Sequence, residues 1–250
     1  MHASRRAAQN GATPALVTAF RFAIAALGGA LALVLTSMSL LSLRVARQVI
    51  TPADRRPDTR LLDLDTQAQT VTLQRTADTV LPGRYGLFTT GTESYVKVGT
   101  VLSADDETVT RKLLTHVGSG AHLAPDAAFS GWYFSHPDEL HLDWTPELVG
   151  SAVGPCPAWR FPAGDGTTWV VQVHGRGTTR SEALRAVPVF HALGITSLVV
   201  SYRNDGEAPR SRTGTYALGA TEWRDVDAAI GFARRRGARR VIVMGWSMGG

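Results

Sequence analysis

Cysteine is almost absent from this sequence. The 250 residues contain one, Cys156, set between Pro155 and Pro157. That excludes an internal disulfide and any cluster of thiolates around zinc. Lysine is scarce as well. Nearly all the basic residues are arginines, and they are scattered apart from Arg234-Arg235-Arg236 and Arg239-Arg240. A net charge of +5 without a concentrated basic stretch argues against a nucleic-acid partner. The arginines at 234–236 suit the end of a helix, where cations oppose the dipole. There is no internal repeat and no low-complexity tract. His116, His122, His136 and His141 lack the spacing and the carboxylate partners of a metal site and read as loop residues. No metal and no cofactor is implied.

Charge is also missing from one long run. "FAIAALGGALALVLTSMSLLSL", residues 22–43, has none. As a helix it would span about 33 Å, enough to cross a bilayer. A signal peptide would have a shorter apolar region followed by a small-residue cleavage site. A buried core helix fits Gly28-Gly29 and the unbroken run less well. The expectation is a single-pass anchor in the cell membrane with the bilayer as partner. Residues 1–21 form a tail before it and 44–60 a linker after it. Arg5, Arg6 and Arg21 precede the span, and Arg44, Arg47, Arg55, Arg56 and Arg60 follow, which leans toward a cytoplasmic C-terminal side.

Residues 61–150 read as a small β-rich region. "QTVTLQR" alternates, with Val71 and Leu73 on one face, and "ETVTRKLL" alternates again. From about 155 the texture becomes α/β. "AWRFPAGDGTTWVVQVHG" reads as a hairpin turning at Gly164-Asp165-Gly166. A helix with a Thr179/Glu182 capping box follows, kinked or divided by Pro188. "ITSLVVSY" is an apolar strand, "TEWRDVDAAIGFARRRG" an amphipathic helix stopped by Gly237, and "RVIVMG" a third apolar strand. Strands at 169–173, 196–201 and 241–244 separated by two helices imply a parallel sheet with right-handed crossovers.

The third strand runs into Gly245-Trp246-Ser247-Met248-Gly249. A Gly-x-Ser-x-Gly directly after a buried-type strand places the serine on a sharp turn, its oxygen exposed above the sheet. Glycine suits 245 and 249, where a side chain would strike neighbouring backbone. Earlier, His174-Gly175-Arg176-Gly177 ends the first apolar strand. Its glycines let a backbone N–H point to the same place as that of Met248, and two such donors can hold an oxyanion.

These segments resemble the α/β-hydrolase superfamily, over residues 158–250. "HGRG" is similar to its oxyanion loop, "GWSMGG" to its nucleophile elbow, and "SYRND" to the strand end between them. The resemblance implies an incomplete parallel-sheet α/β-hydrolase fold, with Ser247 as nucleophile and the N–H groups of Met248 and Arg176 as oxyanion hole. The family's base and acid follow the elbow, so His174, with Gly175 and Gly177, is expected to support the loop. Asp225 and Asp227 are expected on the polar side of a helix, and Asp205 is left without a role. The resemblance further implies a fragment, inactive alone, of a membrane-anchored serine hydrolase acting on small-molecule esters through an acyl-enzyme. A prolyl-oligopeptidase-like peptidase and a non-catalytic, membrane-tethered binding module remain alternatives.

Overall fold

The computed structural model describes residues 14–52, 55–90 and 94–250. The expectations for Arg5 and Arg6 lie outside them. The chain divides into two compact units, 1–50 and 51–250.

The described residues of the first unit form one helix, α1, Pro14–Ile50. The most apolar window within its stretch Leu16–Ile50 has a mean hydropathy of 2.1, and none of that window is buried. This helix is long and apolar enough to cross a membrane. The helix runs past the expected limits 22 and 43 at both ends, so part of the tail and the first seven residues of the linker are helical. Residues 44–50 contain no glycine or proline to stop it. The stop comes at Pro52, whose ring disfavours helical geometry at Thr51.

The second unit opens with a closed six-stranded antiparallel barrel in the order β1 (Thr59–Asp65), β2 (Thr70–Gln74), β5 (Thr108–Leu113), β4 (Tyr95–Ala104), β3 (Tyr85–Phe88) and β6 (Asp126–Ser130). Closure leaves no unpaired edge. Alternation fills the interior with Val71, Leu73, Leu87, Val96, Val98 and Leu113. Arg111 shares the inward face of β5 with Val109 and Leu113 and is fully buried.

The remainder is a five-stranded mixed sheet in the order β11 (Arg240–Gly245), β9 (Thr168–Val173), β10 (Thr196–Val200), β8 (Gly154–Phe161) and β7 (Thr145–Ser151). β9 pairs in parallel with both β10 and β11. The hairpin expected between β8 and β9 does not form. β10 lies between them, antiparallel to β8 with Ser197 opposite Phe161, and the hairpin partner of β8 is β7. The Gly164 turn instead packs on Gly194: a Cβ there would sit 2.2 Å from the Gly194 carbonyl oxygen.

Helix α3 (Trp223–Arg235) covers one face of the sheet, burying Ala229, Phe232 and Ala233 against Trp169, Val171, Leu198 and Val200. The other face holds Trp159, Phe161 and Val199 under Leu184 and Val187. Phe134, Leu140, Leu142 and Trp144, from the segment leaving the barrel, pack on that same cluster. The expected first helix is two pieces, a 3-10 turn Arg180–Ala186 and the short helix α2 (Val187–Ala192), divided between Ala186 and Val187 with Pro188 in the first turn of α2. Thr179 makes no side-chain cap, so the capping box is absent, because Glu182 turns toward the loop after β9.

Candidate active site

The carboxyl ends of β9, β10 and β11 each release a loop, the one after β10 running from 201 to 222, and the three loops meet. β11 ends at Gly245, and Ser247 follows in the left-handed region at φ 52. A serine is rarely found there, and the conformation costs about 1–3 kcal/mol unless its surroundings impose it. Here they do. The Trp246 N–H donates to the Val173 carbonyl at 3.0 Å. A Cβ on Gly245 would lie 2.0 Å from the Gly249 oxygen, and one on Gly249 would lie 2.6 Å from the oxygens of Val173 and His174. Trp246 packs on one face of the sheet and Met248 on the other, so the Ser247 side chain projects from the sheet's end and is exposed. Among the described residues, no side chain is hydrogen-bonded to the Ser247 hydroxyl, and the Met248 N–H has no acceptor.

The loop after β9 lies against this turn. A Cβ on Gly175 would be 3.4 Å from Ser247 Cβ and 3.3 Å from the Trp246 carbonyl. Two carboxylates and a ring fix the loop. Glu182 accepts from the Gly175 N–H and the Thr178 hydroxyl, both at 2.9 Å. His174 is fully buried and stacks on Tyr202 with centroids 4.2 Å apart. Its Nε2 donates to Asp205 Oδ2 at 3.1 Å, and its Nδ1 is 2.9 Å from the Gly175 carbonyl. The Tyr202 hydroxyl donates to that same carbonyl at 2.8 Å. Arg176 and Gly177 are at the exposed tip, with Gly177 at φ 71.

Asp205 is thus part of the architecture that sequence reasoning left without a role. Besides His174, it accepts from the N–H groups of Tyr202, Glu207 and Ala208. Burial pushes its carboxyl up, but the His174 ring and the backbone donors outweigh burial and hold it below the ordinary range. Asp225 corrects the expectation of a solvated helix face. It is buried, and the Arg203 guanidinium grips it from Nε and Nη2 at 2.8 Å each, with the Arg203 N–H adding a third bond. Burial again raises this carboxyl, and Arg203 more than reverses it. The pair ties the loop after β10 to the first turn of α3. Asp227 is outside this network. The only sequence signal for either link was the polar cluster "SYRND" closing an apolar strand.

No group of three or more potential ligands for a metal occurs among the described residues. His136 instead caps a 3-10 turn and lies edge-on to Trp144.

Comparisons with known proteins reach parts of the chain. A family model described as a domain of unknown function (DUF8805) matches residues 60–130, the barrel. No curated protein matches the sequence. Among solved structures, an esterase from Pyrococcus furiosus is similar at 20% identity over 45% of each chain, with a TM-score of 0.40. An epoxide hydrolase from an endophytic Streptomyces is similar at 18% identity over 42% of this chain and 30% of that one, with a TM-score of 0.34. A hyperthermophilic esterase from Pyrobaculum calidifontis is similar at 16% identity over 43% of this chain and 36% of that one, with a TM-score of 0.34. The chain spans less than half the length of each. At such scores, the site's own geometry is the basis for assigning it a chemistry.

Proposed function

We propose that residues 145–250 form the nucleophile-bearing part of a membrane-anchored serine hydrolase of the α/β-hydrolase kind. The observation that carries this reading is Ser247 at positive φ, directly after a strand and wedged against Gly175. A backbone held in that region for no structural gain is a feature of reactive turns.

The chemistry follows from the geometry. As Ser247 Oγ attacks an ester carbonyl, its proton passes to a general base, which the family places after the elbow and which returns it to the departing alcohol oxygen, while the oxygen that becomes negative is received by the N–H groups of Met248 and Arg176. Collapse of the adduct expels the alcohol and leaves an acyl-serine, which water then hydrolyses. His174, Gly175 and Gly177 support the oxyanion loop. The His174 ring is shared between Asp205 and the Gly175 carbonyl, which fits an orienting role and not a base for Oγ. Helix α1 serves as the membrane anchor.

A fluorophosphonate probe, which reacts with activated serines, tests the assignment. In membranes containing the natural protein, labelling is expected on Ser247 and is expected to vanish in Ser247→Ala. Labelling that survives this substitution removes Ser247 from the mechanism.

A further inference from the structure

Beside the oxyanion loop lies a cavity of about 450 Å³ that the mechanism above does not use. Its floor is Thr178 and Asp205, from the loops after β9 and β10, and its far wall is Phe88 and Trp132 of the barrel end. Ligands of α/β sheets bind outside the carboxyl ends of the strands, where this cavity sits. Two arginines, Arg55 and Arg210, are also part of the lining.

Arg55 is the unusual member. Its guanidinium lies over the Phe88 ring at 4.2 Å and the Trp132 ring at 5.2 Å, and these rings meet edge to face at 5.3 Å. Stacking engages the faces of the guanidinium and leaves its in-plane N–H fork unused. Among the described residues, neither Arg55 nor Arg210 has a hydrogen-bond or ion-pair partner. The nearby carboxylates hold other donors: Asp205 has His174 and three backbone N–H groups, Glu182 has Gly175 and Thr178, and Asp58 has the Phe129 N–H, although the charges of Glu182 and Asp58 are still felt at Arg55. A planar fork preset on two rings, with a second arginine across the same cavity, is suited to a carboxylate or phosphate.

We propose that this cavity is the subsite for an anionic group of the substrate, read by Arg55 and assisted by Arg210, so that the esters cleaved at Ser247 carry a carboxylate or a phosphate. The inference rests on the serine-hydrolase reading and names its substrate class. The barrel then acts as part of the substrate site, since it supplies the aromatic shelf that presents Arg55.

The test separates the two. Titration calorimetry on the detergent-solubilised protein compares monomethyl glutarate, phenyl phosphate and neutral dimethyl glutarate. At least one anionic probe is expected to bind saturably, and the neutral diester not to. The better anion identifies whether carboxylate or phosphate is the group read. Arg55→Gln and Arg210→Gln are each expected to weaken binding, Arg55→Gln at least tenfold, while Arg55→Lys keeps the charge, loses the fork and falls between. Circular dichroism checks that each variant folds, and Arg210→Gln and Arg55→Lys carry the test if Arg55→Gln does not. Equal binding of the neutral diester, or unchanged affinity in folded variants, overturns the inference. The bound anion is also expected to slow fluorophosphonate labelling of Ser247. Labelling that proceeds unslowed shows that the anion is held away from the reacting serine and overturns the substrate assignment alone. Anion binding with no labelling of Ser247 in any form of the protein overturns the hydrolase reading and the substrate role with it.

Discussion

Arg111 places five N–H donors inside the barrel and uses all of them on backbone carbonyls. Nε and Nη2 reach Gly99, Nη1 reaches Thr79 and Leu81, and Nη2 also reaches Gly83. Three of these carbonyls belong to the irregular connection between β2 and β3, so this side chain ties that loop to the barrel interior, beside the loop's own Thr76–Thr79 bonds. Replacing it with leucine would fill some of the volume but leave the Thr79 and Gly99 oxygens buried without this donor, at about 1–3 kcal/mol each before relaxation. Arg111→Leu is expected to lower stability by roughly 3–5 kcal/mol, measured as the denaturant midpoint, and Arg111→Lys to recover only part because one ammonium cannot span the four carbonyls. A loss under about 1 kcal/mol would show that the loop holds itself. The case also shows what residue type conceals. The alternation of "ETVTRKLL" puts Arg111 on the face of Val109 and Leu113, but an arginine on that face reads as solvent-facing until its carbonyl partners are known. Asp205 and Asp225 were hidden for the same reason, because their partners His174 and Arg203 are separated from them by 31 and 22 positions. The turn that carries Ser247, by contrast, was legible, because its signal is local: a strand, a turn and two glycines without room for a Cβ.

Elements were readable wherever the pattern was periodic. Val71 and Leu73 do point into one core, and 169–173, 196–200 and 240–245 are strands of one sheet. What sequence did not carry was pairing order. β8 and β9 are joined by a short glycine turn, as hairpin strands are, yet β10 separates them, since crossover connections are set by long-range packing and not by the turn. Helix α1 extends beyond the apolar run for a different reason: the run stops at Leu43, but helix propensity continues to Ile50. The helix yields its own prediction. On extraction with alkaline carbonate, the protein is expected to remain with the membranes. Leu33→Arg near the middle of the apolar run is expected to weaken insertion by about 2.5–3.5 kcal/mol and move a measurable fraction to the supernatant. Release of the unaltered protein, or a mature N-terminus beyond Leu43, would rule out the anchor.

At the scale of the whole molecule, the loops that form the site are held by two buried carboxylates, Asp205 and Asp225, and these make the fold acid-sensitive. The Asp205 and Asp225 side chains are essentially inaccessible. Each has its carboxyl held below the ordinary value of 3.8. A carboxyl depressed in the folded state binds its proton more readily once unfolded. Its contribution is therefore complete above the unfolded value and is lost as pH falls through the lower folded one. Urea midpoints are expected to be level above about pH 4 and to drop progressively toward pH 2. Asp225→Asn removes one titrating group and leaves Arg203 buried without its partner, so it should cost roughly 3–5 kcal/mol at neutral pH. The same substitution should flatten the acid-side slope, because the lost group no longer discriminates between folded and unfolded chains. Asp205→Asn tests the other link, and it is expected to loosen the Gly175 turn as well as flatten the slope, since His174 is held between the two. A variant as acid-sensitive as the parent would place the titrating groups elsewhere. A variant with the flatter slope and slowed fluorophosphonate labelling would tie the buried pair to the posture of the oxyanion loop, and so connect the stability of the sheet's carboxyl edge to the reactivity of Ser247.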